Sequence, residues 1–127
     1  MIDIVTDPYP DDAALGRLWQ AAWAGAGPVS FQPMLQRSLC HVGAYDGPRL
    51  VGFVNVAWDG GVHALILDTC VDTDFQRQGI ASRLLKAAED TARVRGAKWL
   101  HVDFEPRLTA LYRSAGFRPT EAGLMAL

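Results

Sequence analysis

Apolar positions along the chain recur with periods near 3.6 and near 2 residues, and the order of these rhythms predicts its elements. Ile2 to Val5 reads as a short strand. A helix follows with Leu15, Leu18, Trp19, Ala22 and Trp23 on one face, and Asp11 or Asp12 stands where a cap belongs. Gly25-Ala26-Gly27-Pro28 breaks that helix. Phe31 to Leu39 predicts a weaker helix anchored by Met34, Leu35 and Leu39. His41 to Tyr45 is a strand that ends at the turn Asp46-Gly47-Pro48. Leu50 to Trp58 is the next strand, and Asp59-Gly60-Gly61 turns it back into Ala64 to Val71. The strongest helix runs from Ile80 to Arg95, burying Ile80, Leu84, Leu85, Ala88 and Val94, with a Glu89–Arg93 pair on its wet side. Gly96 ends it. Trp99 to Phe104 predicts a strand with Leu100, Val102 and Phe104 on one face and His101 and Asp103 on the other. Leu108 to Ser114 is a short helix stopped by Gly116, and Gly123 to Leu127 a last strand.

This order is strand, two helices, three strands, helix, strand, helix, strand. The three middle strands suit an antiparallel meander. The strands on either side of the long helix must be parallel, joined by a right-handed crossover. The expected fold is therefore α/β (α+β), a mixed and mostly antiparallel sheet with helices on both faces and one parallel pair.

Size and charge narrow the classes. With 127 residues the chain can bury one core, so 1–127 reads as one domain. The formal net charge of −2, with no run of Lys or Arg, argues against a nucleic-acid surface. No apolar run is long enough for a membrane span, and the acidic start Met1-Ile2-Asp3-Ile4-Val5 lacks the basic region of a signal peptide. Cys40 and Cys70 lack metal or redox spacing and read as reduced core thiols, which points to the cytoplasm. The three histidines form no metal motif, so no metal is expected.

One segment carries chemistry. The apolar strand ending at Val71 runs into Asp74-Phe75-Gln76-Arg77-Gln78-Gly79-Ile80-Ala81-Ser82-Arg83 and then into the long helix. A small-residue turn at a helix start leaves backbone N–H groups unpaired and aimed together, with the helix dipole behind them. Such a turn binds phosphate without a cationic side chain. The three glycines of a dinucleotide fingerprint are absent, and so is the Gly-Lys-Ser/Thr of a P-loop. A plain tight turn would also favour glycine at position 79.

The segment fits Gln/Arg-x-x-Gly-x-Gly/Ala, here Gln76-x-x-Gly79-x-Ala81, and in this it resembles the GNAT superfamily of acyl-CoA-dependent N-acetyltransferases. Leu111-Tyr112-Arg113-Ser114-Ala115-Gly116-Phe117 is similar to the family's Tyr-x-x-x-Gly-Phe segment. The two motifs span residues 41–127, and the first strand and helices fit in order without a motif.

The resemblance implies acetyl-CoA as cosubstrate, a splayed parallel strand pair opening after Val71 and Phe104, and direct attack by an amine in a ternary complex. It implies that Thr69, Cys70 and Val71 hold the pantetheine arm through their backbone. The turn amides of Gln78, Gly79, Ile80 and Ala81 would take the pyrophosphate, with Gln76, Arg77 and Ser82 as further cofactor-binding candidates. Arg77 and Arg83 would either reach phosphates or lie solvated at the helix end. Tyr112 matches the position that often serves as general acid toward the thiolate, the alternative being a packing aromatic. Cys70 is not needed as a nucleophile.

No motif fixes a general base. Asp68 lies nearest the expected acetyl group, ahead of Asp103 with its neighbour His101, and water alone is a further option. Glu105 stands where the family commonly has Asn. Trp23, Phe31, Asn55 and Glu105 are the acceptor-site candidates, with Trp19 and Trp58 nearby. An aromatic wall beside carboxylates suits a cationic amine, although Trp19 and Trp23 also suit a helix core. The sheet edges leave room for a homodimer. The expected function is acetyl transfer to a primary amine of a small molecule or a peptide. The alternatives are an acyl-CoA-binding module without turnover and an α/β domain whose turn binds nothing.

Overall fold

The computed structural model describes residues 1–25 and 27–127. Ala26, within the Gly25–Pro28 break, lies outside the described residues. The strands are β1 (Ile2–Thr6), β2 (Ser38–Asp46), β3 (Arg49–Trp58), β4 (His63–Val71) and β5 (Trp99–His101). The helices are α1 (Asp12–Trp23), α2 (Gln32–Gln36), α3 (Ile80–Val94) and α4 (Thr109–Ser114), with 3-10 turns at Thr73–Phe75 and Pro106–Leu108. One sheet holds the strands in the order β1-β2-β3-β4-β5. All neighbours are antiparallel except β4 and β5. The expected mixed sheet and its parallel pair are both present.

Strand β3 is buried without a break from Leu50 to Val56 because both its faces are covered. On one face α3 packs Ile80, Leu84, Leu85 and Ala88 against Val42, Val51, Val54, Val56 and Ile66. On the other, α1 and α2 pack Leu15, Leu18, Phe31 and Leu35 against Leu50, Phe53 and Cys70. Gly52 lets α3 come close, since a Cβ there would meet Leu84 and Ile80 at 3.1 and 3.2 Å. The start of α3 is thereby fixed over the sheet. Asp11 caps α1 by accepting from the Ala14 N–H at 2.8 Å. Among the described residues, no helix is long and apolar enough to cross a membrane.

Four expectations need correction. Val94 is 86 % exposed, and Ala92 takes its place in the core, one turn after Ala88. Leu39 belongs to β2 rather than to α2, because the run from Leu39 to Ala44 is buried on both faces as a central strand is. Strand β5 stops at His101 instead of Phe104. No strand forms over residues 123–127, where Leu124, Met125 and Leu127 are exposed. A β5 of three residues offers too short an edge to recruit one.

Candidate functional site

The site begins with an irregularity in β4. Phe53 pairs with Cys70 and Asn55 with Leu67, so Val54 alone faces both Asp68 and Thr69. This is a β-bulge, and Asp68 takes φ +60°, a left-handed conformation that a short polar side chain tolerates better than most. A bulge bends its strand. Pairing between β4 and β5 holds for His63–Trp99, Ala64–Leu100 and Leu65–His101, then stops. The strands therefore part after Leu65 and His101, well before the Val71 and Phe104 expected from the resemblance.

The parting leaves a cleft of about 360 Å³. Thr69, Cys70 and Val71 of β4 form one wall, and Leu108, Leu111 and Tyr112 of α4 and its leading turn face it. Gly79, Ile80, Ala81 and Ser82 close one end, with Phe75, Gln76 and Arg77 beside them. Ala22 and Trp23, at the last turn of α1, reach the cleft from the other face of the sheet.

The closed end is rich in donors. No side chain caps α3, and its first turn holds no acidic residue. The Arg83 N–H makes the first helical bond, to the Gly79 carbonyl at 3.2 Å, so the Ile80, Ala81 and Ser82 N–H groups have no helical partner. Gly79 has φ +76°, which redirects the chain into the helix. Arg77 makes none of the ion pairs found among the described residues. Arg83 is committed elsewhere, since its guanidinium donates to the Ile2 carbonyl at 2.9 Å and ties α3 to β1. Gln78 lies on the loop but not on the cleft wall. The Gln76 side-chain amide donates to the Val71 carbonyl at 3.1 Å, so this motif residue fastens the loop to β4.

The buried Cys70 thiol is pushed up to about 12 by loss of hydration and, secondarily, by the Asp68 charge. It is protonated at neutral pH and is no nucleophile. The Thr69 hydroxyl is buried with no hydrogen-bond partner among the described residues. Burial raises the Asp68 carboxyl above its ordinary value. Asp68 stands at the bulge, next to the wall residue Thr69 rather than on the cleft surface. Tyr112 is 4 % exposed, and its ring lies between Phe104 and Phe117.

Several candidates fall away from the cleft. Asp103 is exposed beyond the end of β5. Glu105 is exposed and accepts from Arg107 Nε at 2.9 Å. His101 lies 2.7 Å, nitrogen to nitrogen, from His63. Phe31 and Asn55 are each 2 % exposed, the first packed on Trp19 and the second bonded to the Ser38 hydroxyl, so neither can meet an acceptor. Trp23 is the acceptor candidate that does line the cleft, and it is 44 % exposed. Ala22, Phe75, Arg107, Leu108 and Leu111 line it without having been singled out from sequence. The signal for Leu108 was present, since it stands four residues before Tyr112 at the start of the predicted Leu108–Ser114 helix; Leu111, adjacent to Tyr112, carried no such signal.

The donors at one end and the apolar walls along the rest suit an anion joined to a flexible apolar arm. Among the described residues no three His, Cys, Asp or Glu side chains are grouped to hold a metal.

The model of the Acetyltransferase (GNAT) family matches residues 2–117. A chloroplastic GCN5-related N-acetyltransferase of Arabidopsis thaliana is 29 % identical over 79 residues, which is 62 % of this chain and 40 % of that protein. The match thus spans less than half of that curated relative. A GNAT-family acetyltransferase from Streptococcus pneumoniae superposes with a TM-score of 0.82 at 27 % identity, covering 100 % of this chain and 98 % of the other. An aminoglycoside N-acetyltransferase in complex with CoA shares the fold, with a TM-score of 0.76 at 18 % identity over 100 % of this chain and 94 % of its own.

Proposed function

From the premise that the chain belongs to the GNAT acetyltransferase family, we propose that it transfers an acetyl group from acetyl-CoA to a primary amine of a small molecule or peptide. The observation that carries this reading is the uncapped amino end of α3, free of acidic residues, opening onto the unpaired edge of β4. The N–H groups of Gly79, Ile80, Ala81 and Ser82, with Arg77, hold the pyrophosphate. The backbone of Thr69, Cys70 and Val71 holds the pantetheine arm, and Val71, Phe75, Leu108 and Leu111 cover its apolar parts.

The chain's own residues then manage protons. The amine must be neutral to attack, although a free alkylamine has a pKa near 10. Asp68, one residue behind the cleft wall at Thr69, accepts the amine proton through water, and its raised pKa suits that task. The new C–N bond forms as the C–S bond breaks, and Tyr112 gives its proton to the departing thiolate. Trp23 at the rim presents an aromatic face to a cationic acceptor.

A second reading has its own support. No carboxylate lines the cleft among the described residues, as expected for a module that binds acyl-CoA without turnover. The test is thiol release from acetyl-CoA over a broad amine panel, run beside calorimetric titration with CoA. Turnover with any amine supports the enzyme. Tight binding with no turnover supports the module, and no binding removes both.

A further inference from the structure

The loop from Asp72 to Gly79 must keep its shape for the α3 donors to face one ligand, and it is gripped from outside the cleft. We propose that Arg49 is a positioning residue for CoA, acting through the buried Asp72 carboxylate and the Phe75 ring. This rests on the acyl-CoA reading above.

Arg49 opens β3, directly after the Asp46–Pro48 turn, so the sheet fixes its backbone. Its Nη2 donates to Asp72 Oδ2 at 2.7 Å. Asp72 is 4 % exposed, and its other oxygen accepts from the Asp74 N–H at 3.0 Å, capping the Thr73–Phe75 turn. The Asp72 N–H donates to the Val51 carbonyl and the Phe75 N–H to the Asp72 carbonyl, both at 2.8 Å. The Arg49 guanidinium also sits over the Phe75 ring, 5.4 Å from its centroid. Phe75 lines the cleft, and Arg49 does not. One side chain on the rigid sheet therefore neutralises the carboxylate at the root of the loop and covers the aromatic ring in the middle of it.

The pair joins a half-exposed guanidinium to a buried carboxylate, and its energetics separate this role from a direct phosphate contact. Removing one partner strands a buried charge, whereas removing both charges together is far milder. With Arg49→Met, the Asp72 carboxylate keeps its bond from the Asp74 N–H but loses its cationic partner, and the loop shifts to hydrate it. Adding Asp72→Asn keeps the cap in an uncharged form and relieves that demand. A guanidinium that touched a phosphate would be missed equally in both backgrounds.

The experiment is calorimetric titration with CoA of wild type, Arg49→Met, Arg49→Lys, Asp72→Asn and the Arg49→Met/Asp72→Asn double variant, with melting curves for each. Acetyl-CoA kinetics follow wherever turnover is found. Arg49→Met should weaken CoA about tenfold or more, a change of about 1.4 kcal/mol. The acetyl-CoA KM should rise with it while kcat changes little. Arg49→Lys should restore part of the affinity and the double variant most of it. A purely structural role would lower the melting temperature and leave the Kd of the folded protein unchanged. Unchanged Kd in Arg49→Met, or a double variant no better than Arg49→Met, overturns the proposal. If Arg49→Met does not fold, Asp72→Asn decides: a Kd raised about threefold supports the clamp and a wild-type Kd overturns it. Wild-type protein that fails to bind CoA removes the acyl-CoA reading itself.

Discussion

Phe104 lies nearly flat on Tyr112, with ring centroids 4.6 Å apart and planes 18° apart. Phe117 meets the same ring edge-on at 5.8 Å. Phe104 is free to stack because β5 ends at His101, so the residue after the strand folds over onto α4. The tyrosine ring is thereby held by two aromatic neighbours on a wall of the cleft. Tyr112→Phe keeps that packing and deletes only the hydroxyl. It should lower kcat about 100-fold, in the range expected for loss of a general acid. The CoA Kd should stay within about twofold of wild type. Unchanged turnover would remove the proton-donor role and leave Tyr112 as packing.

Asp68 makes a prediction in pH. Its carboxyl is raised by burial, and a base must be ionised to accept a proton. The rate should therefore fall as pH drops through a pKa above the ordinary carboxylate range. Asp68→Asn should abolish that acid limb and slow turnover by about 100-fold. If the variant shows the wild-type profile, water or another group takes the proton.

Gly79 has φ +76° and open space where a Cβ would go. The cost of Gly79→Ala is therefore one of backbone conformation rather than a clash, about 1–2 kcal/mol. The variant should melt several degrees lower and bind CoA more weakly, because relaxing the left-handed turn re-aims the first N–H groups of α3. Differential scanning fluorimetry and calorimetry read the two effects. A variant with unaltered CoA affinity would show that the turn geometry does not set binding.

His41 predicts how stability responds to acid. It is fully buried and accepts from the Tyr9 N–H at its Nε2, 3.1 Å away, which leaves the proton on Nδ1. Burial lowers its pKa, and the Asp7 charge offsets this in part. The folded state thus holds His41 neutral, while the unfolded chain protonates it near 6.5. Stability should be complete above about pH 6.5 and fall as pH drops below it, by no more than about 1.4 kcal/mol per pH unit for this one group. Asp68 pulls the other way, since a carboxyl raised in the fold is favoured by acid. His41→Gln should be less stable at pH 7.5 but should lose less between pH 7.5 and 5.5. Parallel wild-type and variant curves would contradict the assignment.

Gly79, Tyr112 and Asp68 show where the sequence speaks and where it does not. Gly79 and Tyr112 were legible because each sits in a short motif on a strongly patterned element, and α3 with its Leu84, Leu85 and Ala88 stripe could hardly be anything else. The bulge at Asp68 was not legible, since it arises from register against β3 and no local signal in Leu67-Asp68-Thr69 announces it. Strand β5 pairs with β4 only as far as His101, so the predicted alternation does not continue to Phe104. His101 is thus the last residue of the strand, and Asp103, expected on the same polar face, lies beyond it. Phe31 and Asn55 look like acceptor residues when only their polarity and aromaticity are counted. Their burial depends on how α1 and α2 cover β3, a tertiary fact. The Arg49–Asp72 pair joins residues 23 positions apart and was likewise invisible in the sequence.

The most direct measurement is a 15N-resolved NMR titration of the protein with CoA. Saturable shifts are expected, largest at the amides of Gly79, Ile80, Ala81 and Ser82, with a second group at Thr69, Cys70 and Val71. Shifts centred elsewhere, or none at millimolar CoA, would contradict the claim that the amino end of α3 and the free edge of β4 hold the cosubstrate.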